Sequence, residues 1–404
     1  MKKPVFREVN DSLGFYALLG LFGALILVAL GATYYMEHNG HWVTGMNNQI
    51  VWGMPHVFAV FLIVAASGAL NVASISSVFG RYQYKPLAPL SAVLAVALLV
   101  GGLMVLVLDL GRPDRLIIAM THYNFKSIFA WNIILYNGFI AIVVIYLWTM
   151  LDKTKTQYSK FAGFFAFFWR LILTTGTGSI FGFLVAREGY NSALMAPMFI
   201  VMSFAFGLAI FILVVFAAYR WTERPLGDKL VKRMKNLLGV FLGGMLYFTL
   251  VFHITNLYIT QRHGVEAFIL RDGGIYTTLF WWGHVVIGGL LPIFLLYCRK
   301  TANSRFMIGL ASVLVVLGGI ALMYVIIIGG QAFPLQLFPG MEVSSSFHDG
   351  VVNSYTPSLW ETLLGIGGIA VALAAVTFVS RVLRLLPESL ADDIVDPHHG
   401  QADA

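Results

Sequence analysis

The sequence contains a single cysteine, Cys298, in 404 residues. One thiol excludes a disulfide framework, and it excludes an iron–sulfur cluster or thiolate zinc site built from this chain alone. Redox metal, if the function requires it, must come from a partner. Charge is scarce too: Asp, Glu, Lys and Arg make up 11% of the residues, against about 25% in soluble domains. There is no Gly-rich phosphate loop followed by Lys-Ser or Lys-Thr, no HExxH, and no polar stretch long enough for a soluble domain. ATP-driven transport and proteolysis are therefore unsupported.

What the chain has instead is apolar sequence, 59% of it, with 40 glycines besides and a mean hydropathy of +0.81. Apolar runs long enough to cross roughly 30 Å of hydrocarbon fall near 13–35, 53–79, 88–108, 128–150, 164–185, 195–219, 237–260, 275–297, 306–329 and 358–380. The first is too long for a signal h-region and reads as a retained span. Continuous runs without alternation, in a solvent that cannot pair backbone groups, predict helices and not barrel strands. The expected fold is an all-α polytopic membrane protein of ten helices. Residues 1–387 form its membrane domain and 388–404 a polar, solvated tail.

The net charge of +7 loses its nucleic-acid meaning once the basic residues are placed. Nineteen Lys and Arg lie in loops on the side of the N-terminus and six on the other, which predicts that both termini are cytoplasmic. The twenty-sixth, Arg170, falls inside the fifth span and is expected to snorkel to the inner interface, the alternative being a buried pairing or a place in a proton path. Outer loops 36–52 and 330–357 have no Lys or Arg and are candidates either for a docking surface or for a simple lid over the bundle. Pro55 and Pro197 open spans two and six, and Pro86 and Pro225 punctuate the following inner loops. This suggests two four-helix bundles, spans 1–4 and 5–8, with a C-terminal pair appended.

Ionisable residues inside lipid are costly and mark function. His56, Asp109, His253, His284 and Glu361 all fall in the outer half. Proton-coupled quinone chemistry needs a His or carboxylate within reach of each carbonyl oxygen, and His titrates near neutrality. His56 and Asp109, at similar depth on neighbouring helices, are the first candidates for that role. The alternatives are an interfacial histidine bonded to a carbonyl and an ion pair of Asp109 with Arg112 or Arg115. His253 and His284 share a depth that could clamp a b-type haem between two imidazoles. Because only one such pair is present, structural or quinone-side hydrogen bonding is preferred and no haem b is expected. Gly178 and Gly182, then Gly239 and Gly243, are GxxxG pairs that permit close helix approach.

The run Leu108-Asp109-Leu110-Gly111-Arg112-Pro113-Asp114-Arg115, with Asn124-Phe125-Lys126-Ser127 and Trp131, resembles the motif after the third helix of the NrfD / polysulfide reductase membrane-subunit (PsrC) family. Arg81-Tyr82-Gln83-Tyr84-Lys85-Pro86-Leu87 and Ser354-Tyr355-Thr356-Pro357-Ser358 with Glu361 are similar to two further loops of its ten-helix members. Length and span number are most like the membrane subunit of the sulfite-reductase-linked transmembrane complex (DsrP), and next the quinone-linked hydrogenase subunit (HybB). The resemblance implies a bacterial or archaeal inner-membrane anchor that binds menaquinone or ubiquinone and usually carries no cofactor of its own. It would exchange electrons with a periplasmic ferredoxin-like iron–sulfur subunit, in company with a multihaem cytochrome c and further membrane subunits. Asp109 matches the family's acidic residue, Arg112 its basic neighbour, and His56 lies near the polar start of the second helix. Phe125 and Asn132 depart from the Pro and Gly often found there. The competing function is a secondary transporter or ion-translocating subunit, and the plainest is a structural anchor.

Overall fold

The computed structural model describes residues 4–335 and 350–395. Among the described residues, ten helices are long and apolar enough to span a membrane: α1 Leu13–Asn39, α2 Met54–Ser77, α3 Gln83–Leu108, α4 Ile128–Leu151, α5 Thr156–Gly182, α6 Met195–Trp221, α7 Asp228–Tyr258, α8 Ile275–Tyr297, α9 Arg305–Ala332 and α10 Leu359–Val382. Their ends follow local chemistry. The Ser12 and Ser304 hydroxyls accept the Phe15 and Met307 amides at the starts of α1 and α9, and Pro55 sits in the first turn of α2, where a missing N–H costs nothing.

The helices divide differently from the sequence expectation. One bundle is α2–α5 and the other α6–α9, joined along a seam where α2 lies against α6; α1 and α10 form the outlying pair, with α10 resting on α2 and α3. The reason is burial: 94% of the apolar window of α2 is covered but only 11% of that of α1, which meets the protein mainly through α10. Pro55 and Pro197 therefore open the first helix of each bundle. The four-helix offset suggested by the prolines is present, with its phase shifted by one span.

Two more expectations change. Arg170 does not snorkel. It is 3% exposed, donates to the Ser67 carbonyl (3.1 Å) and Asn71 Oδ1 (2.5 Å), and lies against the rings of Phe167 and Phe204. Its acceptors stand beside Leu70, where α2 is interrupted, so the guanidinium occupies carbonyl capacity that the break releases. The start of the expected free tail is docked as well. β2 (Leu386–Pro387) pairs antiparallel with β1 (Phe6–Arg7). Leu390 is buried and exchanges backbone bonds with Pro225 and Gly227, and Asp392 accepts the Lys229 amide. Residues 396–404 of that tail, and 336–349 of the proposed docking loop, lie outside the described residues.

Candidate functional site

His56 occupies the first turn of α2, and Asp109 follows the last residue of α3. Adjacent antiparallel helices bring the two together, with His56 Nδ1 3.1 Å from Asp109 Oδ2. Asp109 has 1% of its side chain exposed and His56 has 22%. The contact is short but misaligned: among the described residues, neither Asp109 oxygen nor His56 Nδ1 has a hydrogen-bond partner. A buried carboxylate without a donor is expensive, and such groups mark functional sites. The Trp52 ring stacks over His56 at 6.1 Å and is itself enclosed by Phe129, Phe181 and Tyr190.

Arg112 is not part of this pair. It forms a two-bonded fork with Asp114 on the exposed outer surface, which holds the Asp114 carboxyl below its usual range. That fork also disposes of the alternative in which Arg112 neutralises Asp109.

The segment carrying Trp52 is fixed by residues that no sequence motif singles out. In the last turn of α9, the buried Gln331 accepts the amides of Val51 (3.0 Å) and Trp52 (3.1 Å) and donates to the Trp52 carbonyl (3.0 Å) and the Ile327 carbonyl (2.8 Å). One side-chain amide thus pairs with the backbone of Trp52 as a neighbouring strand would. Gln49 and Arg187 in turn cap the final carbonyls of α9, and Arg187 also binds the Gln49 carbonyl. Burial lowers the Arg187 guanidinium, partly offset by Tyr190. Replacing Gln331 with Leu strands two amides, each at a cost of about 1–3 kcal/mol. Hydrogen exchange at Val51 and Trp52 is expected to accelerate by roughly ten- to a hundred-fold; unchanged protection would contradict the clamp.

Glu361 secures the other side. With Ser358 it forms a capping box at the start of α10; it also accepts the Gly45 amide (2.8 Å) and the Tyr355 hydroxyl (2.7 Å). Tyr355 accepts the Met54 amide at the entry to α2. Burial and the Glu361 charge raise the Tyr355 phenol, so it keeps the proton it donates. Gly53 is required here, because a Cβ would run into Glu361 and the Tyr355 hydroxyl. His56 is therefore placed where the first bundle, the end of α9 and the start of α10 converge.

The second bundle contains its own His–carboxylate pair, and it differs chemically. His253 Nδ1 lies 2.6 Å from Glu266 Oε2, while Asn256 donates to the other carboxylate oxygen at 2.8 Å and is held by Arg262. Glu266 is satisfied at both oxygens, whereas Asp109 is satisfied at neither. A small space of about 20 Å³ adjoins His253, lined also by Thr249 and Phe252, enough for one water. His284 bonds Thr249 Oγ1 within a stretch of α8 wound as a π-helix over Leu279–Leu290. The Phe280 ring lies 4.6 Å from His253 and 6.3 Å from His284. The same phenyl ring thus neighbours both imidazoles.

The family model described as "Polysulphide reductase, NrfD" matches residues 42–335, a stretch that contains the His56–Asp109 pair and the Gln331 clamp. The chain belongs to the NrfD family. Among curated NrfD-like relatives, it is 29% identical over 395 residues to the Hdr-like menaquinol oxidoreductase integral membrane subunit of Archaeoglobus fulgidus, covering 97% of this chain and 99% of that one. It is 27% identical over 408 residues to a putative dimethyl sulfoxide reductase membrane subunit of Halobacterium salinarum, covering 91% and 90%. It is 23% identical over 312 residues to a polysulfide reductase chain of Wolinella succinogenes, covering 71% of this chain and 96% of that one. The NrfD match ends at residue 335, so α10, whose Glu361 anchors the entry to the site, lies beyond it.

Proposed function

We propose that this chain is the quinone-reactive membrane subunit of a respiratory redox complex, with its site at His56 and Asp109. The carrying observation is the buried carboxylate left without a donor opposite a partly exposed imidazole beneath a stacked indole. Relatives named as a menaquinol oxidoreductase subunit and a menaquinone reductase subunit support menaquinone over ubiquinone.

Quinol oxidation releases two electrons and two protons. With Nδ1 facing Asp109, the accepting lone pair of His56 lies on Nε2. A quinol hydroxyl bound there passes the first proton to Nε2, and the Asp109 carboxylate stabilises the imidazolium that results; the second hydroxyl releases its proton to water. The ring rests against Trp52. Both electrons leave to an iron–sulfur protein docked on the outer face, and reduction uses the same groups in reverse. The lone cysteine supports an external electron partner. The basic bias of the opposite face supports placing that partner in the periplasm and both termini in the cytoplasm of a bacterial or archaeal inner membrane. The polysulfide reductase relative supports sulfur compounds as the other redox couple, with a multihaem cytochrome c and further membrane subunits completing the assembly. His253 and His284 take a structural role in this reading.

A photoreactive azido-menaquinone tests the site. Label is expected on peptides containing Trp52–His56 or Leu108–Leu110, displaced by excess menaquinone. Label confined to the second bundle, or absent, would move or remove the assignment.

A further inference from the structure

We propose that the groove between the inner ends of α6 and α9, on the face carrying the N-terminus, is a binding site for one anionic phospholipid. It encloses about 720 Å³ and is walled by Phe216, Tyr219, Arg220, Arg224, Arg305 and Phe306. Three guanidiniums therefore meet in one concavity at the ends of two membrane spans.

Their charges are unequally committed. Arg305 is paired with Asp228 at 2.6 Å. Arg224 binds the carbonyl oxygens of Glu8 (2.7 Å), Leu386 (3.2 Å) and Arg7 (3.4 Å), which fix its position without cancelling its charge. Arg220 is exposed and has no partner among the described residues. Glu223 stands at the rim with φ of 53°. Together with Asp228 it leaves one positive charge in excess, the complement of a single phosphodiester. The lower wall is apolar: Phe306 is 73% exposed and Phe216 lies beside it in the lining. A soluble phosphate would leave those rings unused, whereas a phospholipid lays its acyl chains against them. Basic pockets between helices at this level hold lipid phosphates by this combination.

The site is also preformed. The β1–β2 pair and the Tyr219 hydroxyl, which donates to the Pro387 carbonyl at 3.0 Å, fasten the segment that positions Arg224 before any lipid arrives. Such fixing lowers the ordering cost of binding.

The test uses the purified full-length protein in phosphatidylcholine nanodiscs doped with phosphatidylglycerol, and counts the lipids retained by native mass spectrometry. The wild type is expected to retain one phosphatidylglycerol in preference to phosphatidylcholine and phosphatidylethanolamine. Arg220→Gln breaks no contact within the fold and is expected to weaken that retention by roughly five-fold, the worth of one guanidinium at the headgroup level. Lys160→Gln, exposed elsewhere on the same face, is expected to leave it unchanged. Equal retention in wild type and Arg220→Gln would overturn the proposal. So would a preference for phosphatidylethanolamine, or displacement of the lipid by inorganic phosphate alone. None of these outcomes depends on the quinone site.

Discussion

Asp109→Asn is expected to lower quinol-linked electron transfer by about 10²- to 10⁴-fold, the usual worth of a positioned proton-handling group, in a subunit that still folds and assembles. Folding should survive because Asp109 accepts no hydrogen bond from the described residues and the amide has the same shape, so no hydrogen bond of the fold is lost. Catalysis should not, because an amide cannot stabilise a neighbouring imidazolium. His56→Ala is expected to cost a similar factor. The double variant should be little worse than either single one, since groups acting as a unit are not additive. Arg112→Gln provides the contrast: Arg112 is paired with Asp114 at the exposed surface, so turnover should stay near wild type. The measurement is menaquinol oxidation by the intact complex in membranes, normalised to assembled subunit. Wild-type rates in both Asp109→Asn and His56→Ala would remove the pair from the mechanism, and additive losses would mean that the two act separately.

The ten spans are legible in the sequence because hydrophobic length is a local property of the chain, and the depth of His56 and Asp109 follows from counting turns. Their meeting is legible for the same reason, as consecutive antiparallel helices leave little choice of neighbour. The contacts that hold the site in place are not. Gln331 meets Trp52, and Glu361 meets Gly45, across 279 and 316 positions of sequence, and no periodicity connects such distant residues. Glu266 escapes notice because it falls in a segment that reads as an outer loop. Val265, Phe268 and Ile269, all buried, are the apolar signal that this segment folds back into the protein. Arg170 is misleading for a related reason. A lone arginine in a span suggests snorkelling only until a break in a neighbouring helix supplies carbonyls. Bundle membership is the hardest to read, since spans 1–4 and spans 2–5 give the same alternating topology and only the burial of α2 separates them.

That seam carries the largest expected effect on stability. Gly207 of α6 and Gly68 of α2 face each other so closely that a Cβ on Gly207 would enter the space of the Ala69 amide and the Ala65 carbonyl, and one on Gly68 that of the Ser203 carbonyl. All of these are backbone atoms of helices and cannot swing aside, so the added methyl must force the two bundles apart. Within lipid there is no hydrophobic gain to hold separated helices together; close packing is itself the driving force. Gly207→Ala is therefore expected to destabilise by about 3 kcal/mol, the upper end for overpacking, and Gly207→Val to yield little folded protein. Gly243, one of the glycines whose spacing suggests close approach, has nothing within 4 Å of its Cβ position. Gly243→Ala should be neutral, or gain up to about 1 kcal/mol from helix propensity. Thermal unfolding in detergent, followed by far-UV circular dichroism, compares the two alanine variants directly. A Gly207→Ala protein that melts with the wild type would mean that the bundles are not joined along α2 and α6. A Gly243→Ala protein as unstable as Gly207→Ala would mean that α7 has a partner on a face that is otherwise open to lipid.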